Sequence, residues 1–263
     1  VMTTPFNWFG QLLFFIFAWA LSLVVRRLPG RFPALALAAI SLLATGRYAW
    51  WRVTTTLEFE TLAQAVLGYG LLAAEAYTWL IVVLGFIQTA WPLKRAPAPL
   101  QGAAQSWPTV DVFIPTYNEP LSVVRPTVLA AMALDWPADR FKVYLLDDGR
   151  REEFRAFAAE VGVQYIIRPD NHHAKAGNLN HALQKTDGEL VAIFDCDHLP
   201  TRSFLKTAVG WFQRDPKCAM LQTPHHFFSP DPFERNLGTF RRVPNEGALF
   251  YGLIQDGNDF WNA

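Results

Sequence analysis

Three long apolar segments in the first ninety residues constrain the fold more than any other feature of this chain. They cover residues 8–25, 32–51 and 65–91, and the first contains no charged side chain. Because a helix rises about 1.5 Å per residue, each segment is long enough to cross, or nearly cross, a hydrocarbon layer of about 30 Å. A soluble core rarely supplies three helices of this length, so the sequence predicts a membrane region over residues 1–93.

The positive charges beside these segments predict their orientation. Three arginines lie in the loop 26–31 between the first two segments, and Lys94 and Arg95 follow the third. Positive residues concentrate on the cytoplasmic side of a membrane, so the chain after residue 92 is expected in the cytoplasm and Val1 outside. A start outside the membrane, with almost no lead-in, suggests further sequence upstream.

Two charged residues lie inside the predicted spans. Arg47 stands in the second span and Glu75 in the third. Charges are costly in lipid, so each is expected to face a partner, a cavity or the interior of the helix bundle. Both a polar channel wall and a structural pair between helices are compatible with this pattern.

After a linker at 94–108 that is rich in Pro and Ala, short β-branched runs alternate with segments of helical spacing. This alternation is typical of an α/β fold, with a mostly parallel sheet flanked by helices on both faces. The cytoplasmic domain is expected over residues 109–263. Strands are predicted over 109–115, 141–149, 163–168 and 189–197, and helices over 122–135, 151–162, 176–186 and 202–215.

Charge and motif content exclude several classes of function. Residues 96–263 hold sixteen Lys and Arg against twenty Asp and Glu, so nucleic acid is not expected as a partner. The chain has neither a G-x-x-x-x-G-K-[ST] loop nor a G-x-G-x-x-G motif, which argues against a kinase-type or dinucleotide site. With only Cys196 and Cys218, a disulfide framework is not expected either.

Polar clusters follow three of the predicted strands. They are "PTYNE" at 115–119, Asp147 with Asp148, and the group formed by Asp195, Asp197 and His198. In open parallel sheets, ligands bind outside the carboxyl ends of the strands. The three clusters therefore predict a ligand site at this edge of the sheet.

The last cluster has the chemistry of a metal site. Residues i and i+2 of an extended strand point to the same face, so Asp195 and Asp197 are expected to aim at one point, with Cys196 turned into the core. Two carboxylates suit Mg²⁺ or Mn²⁺ completed by substrate phosphates, and His198 is a candidate third ligand. The alternative for an isolated D-x-D tripeptide is a solvated turn at the end of a strand.

The other clusters suit a nucleotide. Asp147 and Asp148 can accept hydrogen bonds from a base or a ribose hydroxyl, and Tyr117 offers a face for stacking. Lys175 stands at the start of a predicted helix, where a cation and free N–H groups favour phosphate. Each residue alone has a plainer interpretation as a surface residue, and their combination is what points to a nucleotide diphosphate.

The motifs "PTYNE", "DDG", "HAKAGN", "FDCDH" and "QTPHHFFSPDPF", in this order behind membrane spans, resemble the catalytic subunits of bacterial cellulose synthases. These are processive, inverting glycosyltransferases of the second family with the GT-A fold, and the resemblance runs from about residue 8 to the last residue. It implies a UDP-glucose donor and a β-1,4-glucan acceptor and product, passed outward through the bacterial inner membrane. It also implies a periplasmic partner subunit.

Carried over residue by residue, the resemblance implies three sets of contacts. The first is the uridine pocket, with Thr116, Tyr117 and Glu119. The second is the rest of UDP, with Asp147 and Asp148 near it and Lys175 and Asn178 on the diphosphate. The third is a Mg²⁺ or Mn²⁺ ion held by Asp195, Asp197 and His198.

The sequence departs from that family in two places. Arg150 follows Gly149 where the family has a second glycine, so a modest change is expected in that turn. The chain also stops before the family's general-base motif and its cyclic-di-GMP-binding domain, so no catalytic residue is expected within it. Two alternatives stay open: a non-catalytic, membrane-anchored fragment that binds UDP-sugar, and a synthase of another β-linked polysaccharide such as chitin or hyaluronan.

Overall fold

The structure is a computed structural model that describes residues 1–91 and 95–262, except for the side chains of 259–262. The chain divides into two compact units. The first consists of Val1–Lys94 and Pro224–Ala263, and the second of Arg95–Thr223. Residues 92 and 93 of the predicted membrane region, and Lys94 of the predicted linker, lie outside the described residues.

The helices and strands up to Arg214 follow one another in the order expected from the sequence, and the helices from Pro232 onward were not predicted. The elements are α1 (Trp8–Val25), α2 (Arg31–Thr55), α3 (Leu62–Thr89), β1 (Val110–Thr116), α4 (Leu121–Met132), β2 (Phe141–Asp147), α5 (Glu152–Val161), β3 (Gln164–Ile166), α6 (Ala174–Leu183), β4 (Leu190–Ile193), α7 (Phe204–Arg214), α8 (Pro232–Leu237), α9 (Glu246–Leu249), a π-helix (Phe250–Ile254) and α10 (Gln255–Asn262).

Three helices of the first unit, α1, α2 and α3, are long and apolar enough to cross a membrane. Almost none of their residues is buried within the chain, so their apolar side chains are available to lipid. The helix α3 begins with a capping box, in which Thr61 and Gln64 satisfy each other's backbone N–H groups. The three predicted apolar helices are therefore confirmed, with small shifts at the ends of α2 and α3.

The charged residues of these helices have polar partners on neighbouring segments. Arg52 Nε of α2 lies 2.7 Å from Glu75 Oε2 of α3, and the Tyr48 hydroxyl donates to the same carboxylate at 2.8 Å. Arg47 donates to Gln11 Oε1 of α1 at 3.0 Å. These contacts favour the interpretation of Glu75 as one member of a pair between helices.

The second unit is built on a four-stranded sheet with the order β3-β2-β1-β4. All three pairings are parallel, as the alternation of strands and helices predicted. The central strand β1 is buried along its whole length, and β2 is buried from Val143 onward. Strands buried on both faces are typical of a parallel sheet that helices cover on both sides.

Alternate residues of the strands face two separate apolar clusters. The larger cluster packs Val112, Ile114 and Leu145 against α4, α5 and α7. The smaller cluster packs Phe113, Tyr144 and Leu146 against α6 and is joined by Ala182 of that helix. Helices therefore cover both faces of the sheet, which confirms the predicted layering.

The strand β4 ends earlier than its sequence predicts. It pairs with β1 only as far as Phe113 and Ile193, and Phe194 N–H makes a last bond to Phe113 O at 3.0 Å. The chain then turns, with His198 N–H donating to Asp195 O at 2.9 Å. Among the residues that the structure describes, no strand pairs with the chain beyond Ile193, so the prediction of an extended strand through residue 197 is wrong.

The predicted linker packs as part of the second unit. Residues 95–108 are irregular apart from a single 3₁₀ turn at Ala104–Ser106. Ala98 is nonetheless buried, and its carbonyl lies so close to Gly210 of α7 that a side chain at Gly210 has no room. The division of the chain into membrane region, linker and domain stays a prediction.

Candidate functional site at the carboxyl ends of the strands

The site lies where the strand order of the sheet reverses. From β1 the chain proceeds through β2 to β3 on one side, and β4 then returns to the other side of β1. The strands β1 and β4 are neighbours at this reversal, and the space outside their carboxyl ends is referred to as the β1–β4 crevice. Crevices at such reversal points are where open α/β sheets bind ligands.

The loop after β1 is ordered by one carboxylate. Glu119 Oε2 accepts from the Thr116 hydroxyl at 2.8 Å and from Tyr117 N–H at 2.9 Å. Thr116 is buried, whereas Tyr117 is 52% exposed. The loop thus fixes its backbone internally and presents the Tyr117 ring to solvent, where a base can stack on it.

Glu119 also connects this loop to the one after β4. Partial burial alone would raise the pKa of its carboxyl, but hydrogen bonds from Tyr117 N–H, its own N–H, the Thr116 hydroxyl and the Cys196 thiol outweigh burial and lower it. Burial, with Glu119 next in effect, raises the pKa of Cys196 to about 11. Cys196 is therefore protonated at neutral pH, and its side chain is turned into the core as predicted.

The carboxylate of Asp147, at the end of β2, is fully buried and surrounded by donors. It accepts from the backbone N–H groups of Gly149 and Arg151 at 2.9 and 2.7 Å, and from the Tyr165 hydroxyl at 2.8 Å. The Arg151 guanidinium adds a bond of 2.9 Å to Asp147 Oδ1 and one of 3.0 Å to Thr116 Oγ1. In this structure, Asp147 holds the ends of β1 and β2 together.

Asp148 is paired with an arginine that sequence reasoning missed. Arg168 Nε and Nη2 donate to the two oxygens of Asp148 at 2.7 and 2.6 Å, and both side chains are buried. The same guanidinium donates to His172 O and Ala174 O at 2.6 and 2.8 Å. Arg168 therefore ties the loop after β2 to the segment just before Lys175.

Arg151 and Arg168 could have been suspected from the sequence on one ground only. Arg151 follows the acidic pair Asp147 and Asp148, and Arg168 follows the end of β3. Both therefore stand at the edge of the sheet where the polar clusters were expected. Arginine beside buried carboxylates is a common solution, because its planar fork donates two parallel bonds. Nothing in the spacing indicates which carboxylate each one pairs with.

The turn after β2 contains Arg150, and the modest change expected there relative to the family stays a prediction. This residue adopts the left-handed conformation, with φ at 53°, which L side chains rarely take and which glycine takes freely. Its guanidinium donates to Arg168 O and to Asn171 Oδ1 at 3.1 and 2.7 Å. The arginine thus keeps the backbone conformation that suits glycine and adds two contacts across the loop.

Helix α6 starts from a strained segment. His173 and Ala174 both have positive φ, at 60° and 44°, immediately before Lys175 in the first turn. Asn178 is 2% exposed and donates to Leu146 O at 3.0 Å, while its Oδ1 has no hydrogen-bond partner among the residues that the structure describes. Lys175 is thus exposed at the surface, whereas Asn178 is buried against β2.

Gly177 leaves room for this segment, and we expect Gly177→Ala to disturb it. A Cβ at this position would collide with the His172 carbonyl oxygen and the Arg168 guanidinium. Because the His172 carbonyl cannot move aside without shifting the backbone, the expected loss in the free energy of unfolding is about 1–3 kcal/mol. Pulse proteolysis in urea of the detergent-solubilised chain measures it. Asn180→Ala, an exposed change on the same helix, is the control, and equal stability of the two variants would contradict the account.

The turn after β4 carries the predicted metal ligands. His198 lies beside both carboxylates, with Nδ1 at 3.8 Å from Asp195 Oδ2 and Nε2 at 3.8 Å from Asp197 Oδ1. The Lys175 ammonium contacts Asp195 Oδ1. The acidic side chains are 44% and 65% exposed, so both are accessible to a ligand.

The donor set suits a divalent cation that shares its ligands with a phosphate. Within the described part of the chain, no three His, Cys, Asp or Glu side chains form a group that could hold a metal by themselves. Mg²⁺ commonly takes one or two carboxylates from the protein and completes its shell with water and substrate phosphates. Two accessible carboxylates in a turn fit that pattern, and a complete protein cage is not required.

Comparison with known proteins gives a family match and close relatives. The model of glycosyl transferase family 2 matches residues 111–261, more than half of the chain. The chain is 59% identical over its whole length to the "Cellulose synthase catalytic subunit [UDP-forming]" of Pseudomonas fluorescens (strain SBW25). It is 58% identical over its whole length to the protein of the same name in Xanthomonas axonopodis pv. citri (strain 306).

The chain spans only 36% of the length of these two relatives. Among solved structures, a mannosyltransferase from Pyrobaculum calidifontis in complex with GDP-Man and Mn²⁺ is 28% identical. The match covers 59% of this chain and 43% of that one, with a TM-score of 0.41. The overlap is partial, and no ligand assignment follows from it.

Proposed function

Because this chain belongs to glycosyl transferase family 2, we propose that its second unit binds the UDP-sugar donor of a membrane-bound glycosyltransferase. The sugar is glucose, and the acceptor is a growing β-1,4-glucan, as the names of the relatives suggest. The observation that carries the proposal is the meeting of three polar loops and the start of α6 at the β1–β4 crevice. The names of the relatives favour cellulose over chitin or hyaluronan as the product.

The uridine end of the donor is assigned to the loops after β1 and β2. The exposed Tyr117 ring stacks on the base, and the loop that Thr116 and Glu119 stabilise holds the ring in place. Asp148 lies beside this loop, with its N–H bonded to Thr116 O at 2.9 Å. Full burial of Asp147 favours a positioning role for it, beneath the nucleotide.

The diphosphate end is assigned to α6 and the turn after β4. Lys175 and the positive end of the α6 helix dipole attract the phosphates, and Asn178 anchors the helix to β2 through its bond to Leu146 O. Asp195 and Asp197, with His198 beside them, hold Mg²⁺ or Mn²⁺ against the diphosphate. When bound, the metal supplies charge stabilisation for the departing UDP.

Transfer to the acceptor needs a group that removes the proton of the attacking hydroxyl, which contributes about 10²–10⁴ in rate. We assign that role to no residue of this chain. The donor unit lies on the cytoplasmic side of a bacterial inner membrane, because positive residues flank α1, α2 and α3 on that side. The glucan then leaves through membrane helices towards a periplasmic partner subunit.

Calorimetric titration with UDP tests the proposal directly. The detergent-solubilised chain is expected to bind UDP in the presence of Mn²⁺ or Mg²⁺, and much more weakly in EDTA. ADP is the control ligand, because a uridine pocket rejects the larger purine base. UDP binding that is indifferent to metal, or equal binding of ADP, would contradict the proposal.

A further inference from the structure

One ion pair in the crevice joins a proposed phosphate-binding residue to a proposed metal ligand. The Lys175 ammonium, in the first turn of α6, contacts Asp195 Oδ1 in the turn after β4. The two residues come from different elements of the second unit, so the pair spans the crevice. It occupies a carboxylate oxygen that the donor complex needs for the metal.

The ion pair of Lys175 and Asp195 is exposed and easily exchanged, unlike the other ion pairs of the site. Arg151 and Arg168 are tied to the buried carboxylates of Asp147 and Asp148. The side chain of Lys175 is 51% exposed and that of Asp195 is 44% exposed, so water screens their attraction. A lysine ammonium on a flexible stem can turn to another anion without loss of a fixed geometry.

We propose that Lys175 is an internal counter-cation of Asp195, which keeps the metal site closed until the diphosphate of the donor is present. This inference rests on the proposed function and deepens it. One carboxylate oxygen cannot serve an ammonium and a divalent cation at once, so Lys175 competes with the metal. A diphosphate at the start of α6 offers the ammonium a second anionic partner and thereby frees Asp195.

The exchange couples two binding events. If diphosphate raises the affinity for metal by a given factor, metal must raise the affinity for diphosphate by the same factor. The wild-type chain therefore binds metal weakly alone and more strongly with UDP. A variant without the Lys175 ammonium lacks the group that competes with the metal. In that variant, UDP and metal therefore raise each other's affinity by a smaller factor.

Mn²⁺ binding measured by electron paramagnetic resonance, without nucleotide, tests the exchange independently of any activity. We expect the detergent-solubilised Lys175→Gln chain to bind Mn²⁺ about two- to fivefold more tightly than the wild type, because a half-exposed ion pair is worth little. We also expect UDP to raise the Mn²⁺ affinity of this variant by a smaller factor. Lys185→Gln, an exposed change just after the same helix, should behave like the wild type.

Lys175→Arg separates the charge from the side chain. It keeps a cation beside Asp195 and should restore the weak Mn²⁺ binding of the wild type, which a purely structural role would not require. Equal Mn²⁺ affinity of Lys175→Gln and wild type, in chains that bind UDP with metal, would overturn this inference and leave the proposed function standing. Failure of the wild type to bind Mn²⁺, with or without UDP, would overturn both.

Discussion

Replacing Asp195 and Asp197 together by asparagine is expected to abolish metal-dependent UDP binding, with a loss in affinity of at least about a hundredfold. Asparagine keeps the size and shape of both side chains and removes two negative charges. Both carboxylates are accessible in a turn whose backbone is closed by its own hydrogen bond, so the fold does not depend on them. The remaining amide oxygens are neutral and hold a divalent cation poorly.

Calorimetry with UDP and Mn²⁺ measures this effect, and thermal unfolding of the same samples verifies the fold. Asp139→Asn combined with Asp187→Asn is the matched control, because both carboxylates are exposed on the same unit and lie outside the proposed site. Binding that survives in the Asp195 and Asp197 variant would place the metal elsewhere. A loss in the control as well would point to a general effect of charge.

Replacing Arg168 by methionine is expected to lower the stability of the chain by about 3–5 kcal/mol, the usual cost of leaving a buried charge without its partner. Methionine fills part of the space but leaves Asp148 unpaired at 5% exposure. It also removes the donors to His172 O and Ala174 O, which fix the segment before Lys175. UDP affinity should fall together with stability.

Pulse proteolysis in urea measures the change in stability. The double variant Arg168→Met/Asp148→Asn should recover a part of the loss, because the orphaned charge is gone. Arg155→Met is the control: its pair with Glu152 is exposed, at 3.6 Å, and is worth about 0–1 kcal/mol. A loss for Arg168→Met no larger than that of the control would mean that the buried pair does not stabilise the fold.

The strands were predictable where the local pattern was sufficient. The β-branched run at 109–115 was predicted as a strand and became β1, which is buried throughout. The run at 189–197 was predicted too long, because its apolar character continues through Phe194 and Cys196. Those two side chains are indeed buried in the larger cluster, but they leave the ladder after Ile193. Apolar character reports burial and does not report hydrogen-bond pairing.

The site residues were predictable in position and not in their partners. Asp147 and Asp148 are adjacent in the sequence and are the same type of residue, so the sequence alone does not distinguish their roles. Only the structure distinguishes them, since Asp147 accepts from Arg151 and Tyr165, and Asp148 accepts from Arg168. Their contact with UDP, like the metal contacts of Asp195 and Asp197, stays a prediction.

The sequence by itself determined the three apolar helices, the parallel α/β sheet and the presence of acidic clusters at the ends of its strands. These follow from hydrophobic periods and from the rule that strands alternating with helices run parallel, which act over short stretches of chain. Tertiary structure alone decided that Asp195–His198 forms a turn, that Arg168 secures the start of α6, and that Lys175 rests on Asp195. The pairs of Arg168 with Asp148 and of Lys175 with Asp195 join residues 20 positions apart, and no local pattern encodes which distant group will be the partner.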